Sequence, residues 1–143
     1  MPDIRFFFPE PVPALRNRTA LKSFLDELAR KEKHSVDSLV YVFCDDAYLL
    51  GINKDFLQHD DFTDIITFTY GTESRRIVGE VYISVQRVRE NAQVFETSFN
   101  RELHRVMFHG LLHLCGYEDK LNADQALMRK KEDKYLDLYL RPS

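Results

Sequence analysis

The chain has 143 residues, of which 44% are hydrophobic and 30% charged, as in an ordinary globular protein. Its length predicts one domain over residues 1–143, and its formal net charge of −3 excludes a global attraction to nucleic acid, so such binding would need a local patch. Two cysteines, Cys44 and Cys115, are too few for a disulfide framework and predict reduced thiols. We recognise no targeting segment or membrane-spanning run, which predicts a cytoplasmic protein with no membrane partner.

Hydrophobic periodicity predicts an alternation of strands and helices in the first part of the chain and helices in the last part. Runs of β-branched and aromatic residues predict four strands, at 4–8, 39–43, 63–68 and 77–83. Apolar residues at helical spacing predict helices at about 14–33, after Asp45, after Ser84, at about 100–115, and from Asn122 to about 140. The order β-α-β-α-β-β-α-α-α predicts an α+β fold with a single mixed sheet of about four strands packed with about five helices.

Several details of these elements are specific enough to test. The strand at 39–43 is apolar throughout, which predicts burial on both faces, and the last two strands are expected to pair antiparallel. The helix after Ser84 is predicted to bury a stripe that ends at Phe95. A capping box is predicted at Asn122, and the segment around His59 is interpreted as a hydrophilic loop.

The helix at about 100–115 is apolar nearly all round, which predicts a central position, and it carries two histidines four residues apart. His109 and His113 therefore project from adjacent turns on one face and can bind one divalent cation. Gly116 suits a left-handed helix C-cap, after which the reversed chain can bring Asp119 back as a third ligand. Three protein ligands and one open position indicate a catalytic metal centre. Glu118 is the weaker alternative for the third ligand.

The spacing of these ligands is also found in zinc proteases of the metzincin type. Those enzymes carry a glutamate directly after the first histidine, where it acts as the general base. This chain has Gly110 at that position, which cannot accept a proton. The sequence therefore predicts the metal centre but argues against peptide cleavage.

The run from His109 to Asp119 resembles the signature H-G-x-L-H-L-x-G-Y-D-H of the YbeY family. Upstream, residues 52–53 with 63–68 are similar to the L-N and T-D-V-L-S-F segments of that family, and residues 79–84 are similar to its G-D-I-x-I-S strand. The resemblance covers about residues 50–120. It implies a zinc-dependent, single-strand-specific endoribonuclease that acts on ribosomal RNA and ribosomal particles in rRNA maturation and ribosome quality control.

Two positions depart from the family pattern. The third ligand of the family is usually a histidine, whereas this chain has Asp119, and a site of two histidines and one carboxylate admits iron or manganese besides zinc. Leu57 stands where family members usually carry an arginine that is thought to help the RNA chemistry. The expected mechanism is phosphodiester hydrolysis in which the cation activates water and polarises a phosphoryl oxygen.

Further candidate residues follow from their positions relative to His109. Glu102 lies seven residues earlier on the same helix face and could orient a ligand, although a first-turn glutamate interacting with the helix dipole explains it equally well. Arg105 lies one turn before His109 and is the best candidate for a phosphate contact. Tyr117 and Phe62 are candidates for base stacking. No general base is assigned, and Asp64 matches a family motif position without a derived role.

Two other functions keep the same ligands. A metalloprotease or another metal hydrolase would act on a different substrate, and a ribosome assembly factor would have little intrinsic nuclease activity. The missing glutamate at Gly110 argues against the first, and Leu57 is compatible with the second.

Overall fold

The computed structural model describes residues 2–57, 63–71 and 73–141. The predictions concerning His59 and Phe62 lie outside the described residues. Within the described ranges the predicted order of elements is confirmed. The elements are β1 (Asp3–Phe7), α1 (Arg18–Lys31), β2 (Ser35–Cys44), α2 (Asp46–Leu57), β3 (Ile65–Thr69), β4 (Arg76–Ser84), α3 (Val85–Val94), α4 (Phe99–Leu114) and α5 (Asn122–Leu140).

The four strands form one mixed sheet in the order β1-β2-β4-β3. β1, β2 and β4 run parallel, and β3 pairs antiparallel to β4 with Ile65 opposite Ile83, as predicted for the last two strands. Parallel neighbours need a crossover connection, and α1 provides it between β1 and β2. This topology confirms the α+β fold.

The main core lies between one face of the sheet and helices α1 and α4. Leu39, Tyr41 and Phe43 of β2 are fully buried there, whereas Val40 and Val42 between them are partly exposed on the other face. The prediction that this strand is buried on both faces was therefore wrong in part. α2 covers part of the second face with a small cluster around Leu49, which leaves some of that face open to solvent.

Helix α4 packs closely against the sheet because two glycines lie in the contact. A Cβ added to Gly110 of α4 would lie 2.8 Å from Cγ1 of Val81, and one added to Gly79 of β4 would lie 2.9 Å from Cδ1 of Leu114. Val81 is fully buried and, being β-branched, has little rotamer freedom. Gly110 therefore contributes to the close packing of α4 against the sheet. It also lacks the general base of the zinc proteases, as the sequence indicated.

Three local predictions differ from the structure. α1 begins at Arg18 rather than near residue 14, because Asn17 adopts a left-handed conformation with φ of 53° and the preceding segment buries Val12 and Leu15 as irregular chain. Phe95 lies just after α3 and is 55% exposed, so it does not continue the buried stripe. The capping box predicted at Asn122 does not form, because Asn122 is the first residue of α5 and not its N-cap. The N-cap is Leu121, which makes no side-chain cap hydrogen bond.

Candidate metal centre

Helix α4 is held in place at its start and in its middle. The hydroxyl of Ser98 accepts a hydrogen bond from the backbone N–H of Arg101 at 3.0 Å, which caps the start of the helix. The buried hydroxyl of Tyr41 in β2 donates to the carbonyl of Met107 at 2.8 Å, two residues before the first histidine. The histidines therefore extend from a helix that is anchored to the sheet.

The end of α4 reverses the chain as predicted. Gly116 has φ of +102°, a left-handed conformation that favours glycine. The N–H of Gly116 donates to the carbonyl of His113 at 2.9 Å and that of Tyr117 to the carbonyl of Leu112 at 3.1 Å, which is the Schellman pattern. The hydroxyl of Tyr117 then donates to Glu32 at 2.6 Å, so the returning loop is attached to the end of α1.

This reversal brings the three predicted ligand side chains together. Nε2 of His109 lies 3.2 Å and Nε2 of His113 lies 3.5 Å from Oδ2 of Asp119, and ligand atoms of the three residues all lie within 4.8 Å of one another. The imidazole rings are 5.2 Å apart between centroids and are inclined at 85°. Glu118, the alternative ligand, is exposed.

These distances fit a divalent cation. Metal–ligand bonds of about 2.0–2.1 Å in a tetrahedral site place neighbouring ligand atoms about 3.3–3.4 Å apart. The two Nε2–Oδ2 distances of 3.2 and 3.5 Å bracket that value. Two neutral imidazoles and one carboxylate also form a donor set that zinc, iron and manganese all accept. The group could therefore hold a metal ion, and its chemistry does not choose among these metals.

His109 has a second partner on its other ring nitrogen. Its Nδ1 donates to Oε2 of Glu132 in α5 at 2.6 Å. Burial lowers the pKa of His109, but the hydrogen bond and charge of Glu132, together with the charges of Asp119 and Asp64, outweigh it and raise the pKa overall. Glu132 itself is buried, with its side chain 6% exposed.

The structure assigns different surroundings to the two residues that the sequence singled out beside His109. Arg105 lines the cleft and donates to Oε1 of Glu132 at 2.9 Å and to Oδ1 of Asp133 at 2.7 Å, so two carboxylates compensate its charge. Glu102 is buried on the same face, and burial raises its pKa, whereas Nδ1 of His109 is bound by Glu132. The phosphate contact of Arg105 and the orienting role of Glu102 stay predictions.

The three ligand candidates line a cleft of about 960 Å³ between β3, α3, α4 and α5. Four carboxylates and two guanidinium groups line it, a formal excess of two negative charges: Asp64, Glu102, Asp119, Glu132, Arg105 and Arg129. Burial is the largest influence on Asp64 and raises its pKa, and the amide of Asn91 donates to its Oδ2 at 3.3 Å. The cleft is therefore electrostatically suited to take up a divalent cation.

Two exposed residues lie at the rim of the cleft. Phe95 and Arg129 both line the cleft and are exposed, and among the contacts of the described chain no carboxylate pairs with Arg129. Tyr117, proposed for stacking, is instead half-buried, with its hydroxyl on Glu32 and the Lys131 ammonium 5.6 Å from its ring centroid. The sequence signal for Phe95 was its position as an aromatic residue directly after α3.

Glu132 was missed although the sequence contained a signal for it. The buried residues of α5 are Met128, Glu132, Tyr135 and Leu136, at the spacing i, i+4, i+7, i+8. A carboxylate within an apolar stripe is rarely buried without a partner. This position therefore indicated a paired acid, but the partner could not be named from spacing.

Cys44 and Cys115 are buried free thiols, as expected, and neither belongs to the metal group. Leu57, where the resemblance expects an arginine, is the last residue of α2. None of the helices in the described ranges combines the length and the apolar character needed to cross a bilayer.

Comparison with known proteins identifies the family of the chain. A family model described as Endoribonuclease YbeY matches residues 10–139. Relatives named Endoribonuclease YbeY from Cytophaga hutchinsonii and Flavobacterium psychrophilum are 48% and 47% identical, and the alignments cover 93% and 87% of this chain and 94% and 89% of theirs. The solution structure of TM1509 from Thermotoga maritima is similar with a TM-score of 0.67 and 30% identity, over 96% of this chain and 87% of that one. Because the family model spans most of the chain, this protein belongs to the YbeY family.

Proposed function

We propose that this protein is a metal-dependent, single-strand-specific endoribonuclease that acts on ribosomal RNA in rRNA maturation and ribosome quality control. The observation that carries the proposal is the convergence of His109, His113 and Asp119 in an open cleft of a chain that belongs to the YbeY family. The relatives are named endoribonucleases, which supports RNA as the substrate. The two buried free thiols support a reducing compartment, and we place the protein in the cytoplasm on that ground.

The metal would be held by Nε2 of both histidines and a carboxylate oxygen of Asp119, and we propose zinc, with iron or manganese as alternatives. When bound, the cation supplies Lewis acidity, which lowers the pKa of water and polarises a phosphoryl oxygen. Its charge also offsets the formal excess of two negative charges among the residues that line the cleft. A phosphodiester, itself an anion, is repelled less from the loaded cleft than from the metal-free one.

The surroundings of the cleft favour a flexible strand over a duplex. The side chains of His109, His113 and Asp119 are only 20%, 28% and 37% exposed, so a scissile phosphate must enter the cleft to reach them. Duplexes are stiff over such distances, whereas a single strand can bend sharply. We propose that the Arg129 guanidinium contacts a phosphate at the rim and that Phe95 stacks on a base, since both are exposed there.

The arrangement argues against peptide cleavage. A protease of similar ligand spacing needs a glutamate at position 110, and a Cβ there would lie 2.8 Å from Val81 and 3.0 Å from Ile65. Position 110 faces the sheet and not the cleft, so a longer side chain would enter the core. In the assembly-factor alternative the protein contacts RNA without cleaving it. The cleavage assay described next tests this alternative as well.

Cleavage of end-labelled single-stranded and duplex RNA by the purified protein tests the proposal. We expect cutting of the single strand alone, its loss with a chelator and its return with Zn²⁺. Asp119→Ala should lose at least about 100-fold in rate, as expected when a metal ligand is removed, whereas the exposed neighbour Glu118→Ala should keep the wild-type rate. Equal cutting by Asp119→Ala and wild type would refute the metal-dependent nuclease. Binding of RNA or ribosomal particles without cutting would establish the assembly factor instead.

The same assay tests the rim residues. Arg129→Ala should raise KM for single-stranded RNA by about 5- to 20-fold, because one phosphate contact is lost, and should weaken its salt dependence. Lys130→Ala, a neighbouring exposed cation outside the cleft lining, is the matched control. Equal KM values for the two variants would remove Arg129 from the substrate path.

A further inference from the structure

We propose that Glu132, held by Arg105, is a positioning residue that keeps His109 in the tautomer protonated at Nδ1, so that the lone pair of Nε2 faces the other two ligands. The inference rests on the proposed metal centre. It concerns how the protein prepares one ligand before a cation arrives, and it assigns roles to two residues of the cleft that do not themselves belong to the metal group.

The hydrogen-bond geometry supports a proton on Nδ1 of His109. A carboxylate oxygen accepts, so the 2.6 Å contact between Nδ1 of His109 and Oε2 of Glu132 holds a ring proton on Nδ1. Nε2, which lies 3.2 Å from Asp119, is then the ring nitrogen whose lone pair is left for a cation. The other neutral tautomer would carry a proton at the ligand position and could not bind a cation.

Arg105 fixes the orientation of Glu132. Its Nη1 donates to Oε1 of Glu132, the oxygen that does not contact His109, and its Nη2 donates to Asp133. The Arg105 side chain is 12% exposed and the Glu132 side chain 6%, so water competes little for either group. A buried carboxylate with both oxygens bound to separate donors has little freedom to turn away from the imidazole.

The two histidines differ in whether a protein side chain binds their Nδ1 atom. The described contacts of His113 include the one from its Nε2 to Asp119, and no hydrogen bond to its Nδ1 is seen within the described part of the chain. His109 is also the more buried of the two, with 20% of its side chain exposed against 28%. The protein therefore enforces the tautomer of one ligand and leaves the other to be oriented by the cation itself.

The isosteric variant Glu132→Gln tests the inference sharply. Arg105 can only donate, so it will bind the amide carbonyl of the new side chain and turn its NH₂ group toward His109. That NH₂ group also only donates, which favours an unprotonated Nδ1 and moves the ring proton to Nε2. The variant should therefore reverse the tautomer of His109 while preserving the volume of the core.

Two measurements follow from this reversal. In the metal-free protein at pH 8, ¹⁵N NMR of the His109 ring, assigned with His109→Asn, should show a protonated Nδ1 in wild type and an unprotonated Nδ1 in Glu132→Gln. Competition for Zn²⁺ against a chromophoric chelator should show an affinity about 10- to 100-fold weaker in the variant. Asp133→Asn is the matched control, since Asp133 binds the same Arg105 without contacting His109, and it should change neither measurement.

Glu132→Asp separates the hydrogen bond from packing. It keeps an acceptor and removes a methylene, so the Nδ1-protonated form and most of the Zn²⁺ affinity should return. An unchanged tautomer in Glu132→Gln, or a Glu132→Asp variant as weak as Glu132→Gln, would overturn the inference. Wild-type protein that binds none of Zn²⁺, Fe²⁺ and Mn²⁺ would instead overturn the proposed metal centre, and the NMR comparison of metal-free proteins would still decide the positioning role.

Discussion

Replacement of Gly110 by alanine tests the close approach of the ligand helix to the sheet. The new Cβ would lie 2.8 Å from Cγ1 of Val81 and 3.0 Å from Cδ1 of Ile65. The end of Ile65 can move, but Val81 is fully buried in β4 and stiff about its first side-chain torsion. The strain must therefore move either the strand or the helix.

The magnitude follows from two opposing effects. Alanine is favoured over glycine inside a helix by about 1 kcal/mol, whereas overpacking a core of native density costs about 1–3 kcal/mol. Gly51 offers a matched control, because it lies within α2 and a Cβ there meets nothing within 4 Å. We expect Gly51→Ala to raise the free energy of unfolding by about 1 kcal/mol and Gly110→Ala to lower it by up to about 2 kcal/mol.

Urea denaturation in the presence of a chelator measures both variants without the contribution of bound metal. The difference between them should be about 1–3 kcal/mol, because the helix-propensity gain is common to both. Competition for Zn²⁺ should also show weaker binding by Gly110→Ala, since a displaced helix moves His109 relative to Asp119. If both variants were stabilised equally, the close approach of α4 to the sheet would be refuted.

Three further predictions concern the turn that follows the C-terminal end of α4 and the buried His104 of that helix. Gly116→Ala should lower the free energy of unfolding by about 1–2 kcal/mol, measured by urea denaturation, because φ of +102° is strained for alanine. Tyr117→Phe should cost about 1–2 kcal/mol and weaken Zn²⁺ binding, because the loop before the third ligand loses its 2.6 Å hydrogen bond to Glu32. Burial lowers the pKa of His104, so the unfolded chain binds more protons and stability should fall as the pH drops below about 6.5; His104→Phe should flatten this dependence in urea denaturation at pH 5.5 to 7.5.

The Tyr117 prediction has a matched control variant, and each of the three predictions has a result that would contradict it. Tyr135 also donates to Glu32 but lies in α5, so Tyr135→Phe should cost a similar free energy and leave the Zn²⁺ affinity unchanged. Equal loss of affinity in the two tyrosine variants would contradict a specific effect on the ligand loop. A Gly116→Ala protein as stable as wild type would contradict the left-handed turn. A pH slope unaffected by His104→Phe would show that other groups set the acid sensitivity.

Much of the metal group could be predicted because its information is local. One helical turn places His109 and His113 on one face, and Gly116 permits the reversal that returns Asp119, all within eleven residues. The order of strands and helices was equally readable, since periodicity of two or of 3.6 residues needs no tertiary contact. Resemblance to the YbeY family was carried by the same run together with the segments at 52–53, 63–68 and 79–84.

The structure adds to or departs from the sequence-based expectations where tertiary contacts outweigh local preference. Arg105 looked available for phosphate on an isolated helix, but α5 presents Glu132 and Asp133 to it. Phe95 fits the apolar stripe of α3, yet the helix ends one residue earlier and leaves the ring at the rim of the cleft. Asn17 prevents α1 from beginning earlier because its backbone is left-handed, and hydrophobic spacing does not reveal that conformation.

The sequence by itself determined the elements, their order and the three side chains that converge at the end of α4, because each depends on residues close together in the chain. Only the tertiary structure decided the strand order, the cleft and the attachment of His109 to Glu132, a residue 23 positions away. Pairings between distant residues depend on how whole elements pack, and the stability of a buried carboxylate depends on the donors that this packing brings to it.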